Sequence, residues 1–129
     1  MNFRYTILYV QDVANTLDFY TRAFGLERGL LHESGDYGEL KTGTTKLAFS
    51  SLKLMRELGK SPKQPDAAAP AFEIAFETTE VAGALQRAID AGAELVQPVE
   101  QMPWGQETAY VRDRDGFLVE ICSPVNAAQ

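Results

Sequence analysis

The chain has 129 residues and a mass of 14.2 kDa, which suits one domain, so any duplication must lie inside a single core. Its 45% hydrophobic and 23% charged residues exclude a wholly disordered chain. The net charge of −6 opposes binding to nucleic acid, and no apolar stretch approaches the ~20 residues that span a bilayer.

The first predicted elements are a strand, a helix and three further strands. An apolar-rich run begins at Tyr5, and a helix follows between Asp12 and Gly25. Apolar side chains recur there at intervals of three or four: Val13, Leu17, Tyr20 and Phe24. The segments ERGLLHE, DYGELKT and TKLAFSS then have strand character, with Gly-containing turns between them. Residues from about 3 to 51 therefore predict one βαβββ unit.

The next segment, about 52–70, separates this unit from a second copy of the same pattern. Its first part, Leu52–Leu58, can form a helical turn. Pro, Ala and charged residues predict a flexible linker over 59–70, which could let the two units pair within one chain or between chains.

The second copy is an internal repeat. Residues 73–95 resemble 5–27 at an offset of 68, with Glu80 at the position of Asp12. Three strand-like segments follow again, AELVQP, QETAYVRD and FLVEICS, and Asp113-Arg114-Asp115-Gly116 predicts a tight hairpin turn between the last two. Residues from about 71 to 124 thus predict a second βαβββ unit, and the fold class is α+β.

Two stretches of this repeat resemble the vicinal oxygen chelate superfamily, which includes glyoxalase I, extradiol dioxygenases, and fosfomycin- and bleomycin-resistance proteins. They are VQDVANTLDFYTRAFGL, from Val10 to Leu26, and RDRDGFLVEI, from Arg112 to Ile121. The resemblance implies a single domain over 1–129, with two units forming a cupped sheet and pairing in a homodimer. Because one fold serves several chemistries, it implies no single reaction.

The resemblance also implies where a metal would bind. Metal-dependent relatives place His or Glu ligands on the first and last strands of each unit, which here correspond to Tyr5, Ala48, Glu73 and Glu120. Two carboxylates with Tyr and Ala would hold Zn²⁺ or Ni²⁺ poorly. We therefore expect no metal cofactor; if one binds, Glu73 and Glu120 are its candidate ligands, and Ni, Zn, Mn or Fe the candidate ions.

Glu120 and Glu73 are the candidate catalytic residues. Alternation places Leu118, Glu120 and Cys122 on one face of a strand, where a carboxylate is costly to bury unless it is paired or bound. Glu120 is therefore either a hydrogen-bonded remnant of an ancestral ligand or a ligand contact. Glu73 either belongs to a solvated face or forms a polar floor by accepting a hydrogen bond from Tyr5.

Aromatic and amide side chains are the candidate binding residues, each with a structural alternative: Tyr5, Tyr37, Phe49, Trp104, Gln106 and Tyr110. Whether Tyr37, Phe49 and Tyr110 point inward depends on one residue of strand register. The single cysteine, Cys122, is expected to be a buried apolar residue, and its lack of a disulfide partner favours a cytoplasmic location.

Two classes of function remain open. The first is a binding protein of the bleomycin-resistance type that holds an aromatic or cationic organic molecule in an acidic and aromatic cup. The second is a divalent-metal-dependent lyase, isomerase or dioxygenase of the same superfamily, in which the ion polarises the substrate and a carboxylate moves a proton. We expect a small-molecule ligand and a homodimer, with neither nucleic acid nor membrane as a partner.

Overall fold

A computed structural model describes residues 1–125 and divides the chain into two compact units. The first is Met1–Gln64, and the second begins at Pro65. This boundary lies within residues 59–70, which contain neither helix nor strand. Each unit carries its own four-stranded sheet with one long helix packed against it.

The first unit follows the predicted βαβββ order, with a short helix after it. Its elements are β1 (Tyr5–Val10), α1 (Val13–Phe24), β2 (Glu27–Leu31), β3 (Tyr37–Lys41), β4 (Lys46–Ser51) and α2 (Leu52–Glu57). The sheet order is β1-β4-β3-β2, with β1 parallel to β4 and the other pairs antiparallel. Helix α2 begins after Ser51, whose hydroxyl accepts a hydrogen bond from the Leu54 amide.

Helix α1 begins and ends at the residues that the sequence predicts. The Asp12 carboxylate accepts a hydrogen bond from the Asn15 amide, which satisfies one of the free donors of the first turn. Gly25 ends the helix at φ 70°, in the left-handed region that glycine adopts without steric cost. The apolar side of α1 packs against β2, β3 and β4, and Leu17 and Tyr20 there have no exposed surface.

The second unit repeats this arrangement. Its elements are β5 (Ile74–Glu77), α3 (Val81–Asp90), β6 (Glu94–Gln101), β7 (Glu107–Arg112) and β8 (Leu118–Cys122). The sheet order is β5-β8-β7-β6, with β5 parallel to β8. Helix α3 packs against β6, β7 and β8. Over residues 1–125, no helix is long and apolar enough to cross a membrane.

Strand alternation separates an apolar face from a polar face in each sheet. In β8, Val119 and Ile121 are buried on the side of α3, whereas Glu120 is half-buried on the opposite side. In β4, Leu47 and Phe49 face α1 and Ala48 and Ser50 face the other way, although all four side chains are buried. The strand face opposite the long helix is called here the open face of each unit.

Candidate functional site

The open face of the second unit gathers two carboxylates around one phenol. Tyr110 Oη donates a hydrogen bond to Glu120 Oε2 at 2.6 Å, and it lies 3.1 Å from Glu73 Oε2. A neutral phenol carries a single proton, so it can serve only one carboxylate fully at a time. The shorter distance assigns that proton to Glu120. The exposed Glu73 thus keeps acceptor capacity for another donor.

Strand pairing explains why these side chains meet. Tyr110 in β7 lies directly opposite Glu120 in β8, so both side chains project from the same face of the sheet. Glu73 was expected within a strand, but it directly precedes β5, whose Ala75 pairs with Glu120. The cluster therefore uses two central strands and the entry to the edge strand of one sheet.

Burial and the carboxylates on this face keep the Tyr110 phenol and the Cys122 thiol in their neutral forms. Burial raises the pKa of the Tyr110 phenol above its usual value, and Glu120 and then Glu73 raise it further. Burial likewise raises the pKa of the Cys122 thiol to about 11, with Glu120 the next largest cause and Glu77 and Glu73 adding to it. Cys122 is buried, as predicted, and its thiol is protonated at neutral pH.

The open face of the first unit is more aromatic than acidic. Tyr37 Oη donates a hydrogen bond to Glu39 Oε2 at 2.7 Å, and both residues project from β3. Burial, followed by Glu39, raises the pKa of the Tyr37 phenol, with a smaller contribution from Tyr5 on β1. Also on β1, Tyr9 lies beneath Lys60, whose Nζ is 5.6 Å from the centre of its ring.

Three predicted binding residues lie away from these open faces. Phe49 has no exposed surface and packs against Tyr20 of α1, on the helix side of its sheet. Trp104 and Gln106 lie in the turn before β7, where Trp104 Nε1 donates to Gln106 Oε1 at 2.8 Å. Gln106 Nε2 in turn donates to the Ser123 carbonyl, so this pair stabilises the turn.

Two acidic residues of the open faces were missed by the sequence reasoning. Glu39 follows Tyr37 by two residues within one strand, a spacing that places both side chains on the same face and could have identified the pair. Glu77 pairs with Cys122 across β5 and β8. The effect of Glu77 on the Cys122 thiol depends on parallel pairing between distant segments, which the sequence does not specify.

The positions that the resemblance assigns to metal ligands do not fit a divalent ion. In the first unit, Ala48 offers no donor, and Tyr5 is a phenol, an uncommon ligand in its neutral form. In the second unit, Glu73 and Glu120 both lie against the Tyr110 phenol. Within residues 1–125, no group of three or more His, Cys, Asp or Glu side chains is arranged to hold a metal. We therefore derive no step through a metal ion.

A comparison with protein-family models identifies one family. The family model described as the glyoxalase/bleomycin resistance protein/dioxygenase superfamily matches residues 2–121. An uncharacterized protein of Mycobacterium tuberculosis is 29% identical over 124 residues, which cover 92% of this chain and 72% of the relative.

Two solved structures share the fold. One is a glyoxalase-related enzyme from Fulvimarina pelagi, with a TM-score of 0.82 and 23% identity over 98% of this chain and 94% of that one. The other is a glyoxalase/bleomycin resistance protein/dioxygenase family enzyme from Burkholderia phytofirmans, with a TM-score of 0.82 and 18% identity over 98% and 100% of the two chains. At these identities, the likeness supports the fold alone.

Proposed function

Because the chain belongs to the glyoxalase/bleomycin resistance protein/dioxygenase superfamily, we propose that it binds a small organic molecule that carries an aromatic ring and a positive charge. The observation that carries this proposal is the Tyr110 cluster, in which one phenolic proton faces two carboxylates. A protonated amine would supply the donor that Glu73 lacks and would also be attracted by the charge of Glu120.

The other side chains on the open face of the second unit suit the rest of such a ligand. Ring faces of Tyr attract planar and cationic groups, and Tyr110 lies on this face. Glu77 adds a further negative charge beside Cys122. These contacts favour aryl-ammonium compounds over aryl carboxylates, because a carboxylate would meet like charge on the second unit.

The test compares two probes of similar size, phenethylammonium and 3-phenylpropionate, by titration calorimetry. We expect phenethylammonium to bind and phenylpropionate not to bind detectably. The double variant Glu73→Gln/Glu120→Gln should weaken phenethylammonium binding by about tenfold or more, since both charged acceptors are lost. Equal binding of the two probes, or an unchanged affinity in the double variant, contradicts the proposal.

A matched control separates the cluster from general charge effects. Glu107→Gln removes one carboxylate charge from β7, half of the charge that the double variant removes, and Glu107 projects from the face opposite Tyr110. Its affinity for phenethylammonium should stay within about twofold of the wild type, because an exposed charge farther away is screened by salt. A loss as large as that of the double variant would make the effect one of net charge rather than of the site.

The alternative function is a divalent-metal-dependent lyase, isomerase or dioxygenase. Its support is that Glu73 and Glu120, the two surviving candidate ligands, lie on the same face of one sheet, although the Tyr110 phenol lies against both. Elemental analysis of protein purified without chelator tests this alternative directly. A stoichiometric ion that is lost in Glu120→Ala would support the metal enzyme, whereas the binding proposal expects none.

The proposal also includes a homodimer, since members of this superfamily often dimerise. Light scattering coupled to size-exclusion chromatography measures the mass in solution. A mass close to twice 14.2 kDa supports the dimer, and a monomeric mass at all concentrations contradicts it.

A further inference from the structure

Two carboxylates of the second unit, those of Glu73 and Glu120, both lie against the Tyr110 phenol. Tyr110 Oη lies 2.6 Å from Glu120 Oε2 and 3.1 Å from Glu73 Oε2. A divalent ion placed between these two Oε2 oxygens, at about 2.0–2.2 Å from each, would take the position of the phenol oxygen. It would therefore displace the phenol, or it would have to take the phenol oxygen as an additional ligand.

Both routes are unfavourable for the native chain. Displacing the phenol breaks a short charge-assisted hydrogen bond to Glu120 from a half-buried side chain. Using the phenol as a ligand would place a neutral hydroxyl oxygen where such ions are ordinarily bound by thiolate, imidazole or carboxylate groups. The same hydrogen bond that orients Glu120 thus competes with any divalent ion.

We propose that Tyr110 excludes divalent metal ions from the Glu73–Glu120 pair by keeping its phenolic hydroxyl hydrogen-bonded between the two carboxylates. Removal of that one oxygen converts the pair into a cation site of modest affinity. This inference goes beyond the proposed function, because it concerns the metal ions that this face rejects. It does not depend on the identity of the organic ligand.

The first unit provides an internal control. Strand register places Glu39 opposite Ala48 in the first unit, where the second has Tyr110 opposite Glu120. The neighbouring phenol, Tyr37, donates to Glu39 alone. Loss of the Tyr37 hydroxyl therefore uncovers one carboxylate with no acidic residue across from it, which is too little for a stable divalent site.

The test is calorimetric titration of Mn²⁺, an ion that prefers carboxylate and water ligands, into metal-free protein. We expect Tyr110→Phe to bind Mn²⁺ about tenfold or more tightly than the wild type, because two carboxylates then face each other without a donor. Adding Glu73→Gln to that variant should abolish the gain. Tyr37→Phe should bind no better than the wild type.

Each result decides the matter. A folded Tyr110→Phe variant that binds Mn²⁺ no more tightly than the wild type overturns the proposal. A gain that survives in Tyr110→Phe/Glu73→Gln, or an equal gain in Tyr37→Phe, also overturns it, because the ion would then bind elsewhere. Circular dichroism checks folding, and Tyr110→Leu, which also lacks the hydroxyl, replaces Tyr110→Phe if that variant does not fold.

Discussion

The two βαβββ units place different chemistry at equivalent strand positions. Register aligns Ala48 with Glu120, Glu39 with Tyr110 and Ser50 with Cys122. The second unit thus carries its carboxylate on a central strand beside a phenol, whereas the first has a fully buried alanine there. The helix-facing sides of both sheets remain apolar. The two units therefore share an apolar side beneath the helix and differ in the side chains of their open faces.

The two units should differ most in how much stability is lost when one turn residue is replaced by alanine. This residue lies in the hairpin turn after the third strand of each unit. Asp113 is buried, and its Oδ1 accepts hydrogen bonds from the amides of Asp115, Gly116 and Phe117. The equivalent residue in the first unit, Thr42, accepts one from the Leu47 amide and donates one to the Thr45 carbonyl.

We expect Asp113→Ala to lower the free energy of unfolding by about 3 kcal/mol, because it leaves several amides without their charged acceptor. Thr42→Ala should cost about 1 kcal/mol, since only neutral hydrogen bonds are lost. Urea unfolding followed by circular dichroism measures both values. Equal losses would mean that the two turns are energetically alike despite their different residues.

A smaller difference in the effect of substitution is expected at the strand position that each long helix covers. A Cβ atom on Gly38 would lie 2.6 Å from Leu17 Cδ1 and 3.0 Å from Val13 Cγ1, both on α1. The second unit holds Ala109, which is fully buried, at the equivalent position. The first helix therefore approaches its sheet at a point where only glycine leaves room.

Gly38→Ala should lower the free energy of unfolding by about 1–3 kcal/mol through overpacking. Ala109→Gly should cost about 1 kcal/mol, from backbone entropy and the lost methyl group. The two losses come from opposite changes in volume. If Gly38→Ala proved neutral in thermal unfolding, α1 would be able to shift away from β3 at little cost.

The third difference appears at alkaline pH. The ordinary pKa of a thiol, 9.0, applies to Cys122 in the unfolded chain, and the native structure raises it to about 11. Between these values the unfolded thiol loses its proton while the native one keeps it, so the free energy of unfolding falls as pH rises. Ser50, at the equivalent position of the first unit, has no such titration.

The measurement is urea unfolding across this pH range for the wild type and Cys122→Ser. We expect the wild type to lose stability more steeply than the variant, because the tyrosines with raised pKa contribute equally to both. Because Cys122→Ser changes a buried side chain, its absolute stability will differ from that of the wild type. The readout is therefore the slope of the free energy of unfolding against pH. Parallel slopes would contradict the raised thiol pKa.

Local sequence patterns predict some of these features, and the others depend on strand pairing. The helix bounds at Asp12 and Gly25, the two βαβββ units and the alternation around Glu120 follow from local patterns, and the structure confirms them. The contact between Tyr110 and Glu120 does not, because it depends on pairing between β7 and β8. Phe49 illustrates the same limit, since a shift of one residue in register decides between the helix side and the open face.

The smallest effect is expected at the ion pairs that join the second and third strands of each unit. Lys41 Nζ lies 3.1 Å from Glu27 Oε1 in the first unit, and Arg112 lies 3.9 Å from Glu94 Oε1 at the equivalent position. Both pairs reach solvent, with Arg112 only partly exposed, so solvent screens them and each should contribute about 0.5 kcal/mol or less.

Double-mutant cycles that combine Lys41→Gln with Glu27→Gln, and Arg112→Gln with Glu94→Gln, isolate the two coupling energies. The first should slightly exceed the second, because its charges are closer, and both should shrink when salt is added. Arg112 also donates a hydrogen bond to the Asp113 carbonyl, so its single substitution should cost more than its coupling energy. A coupling above about 1 kcal/mol in either unit would mean that the pair is shielded from solvent more than its exposure indicates.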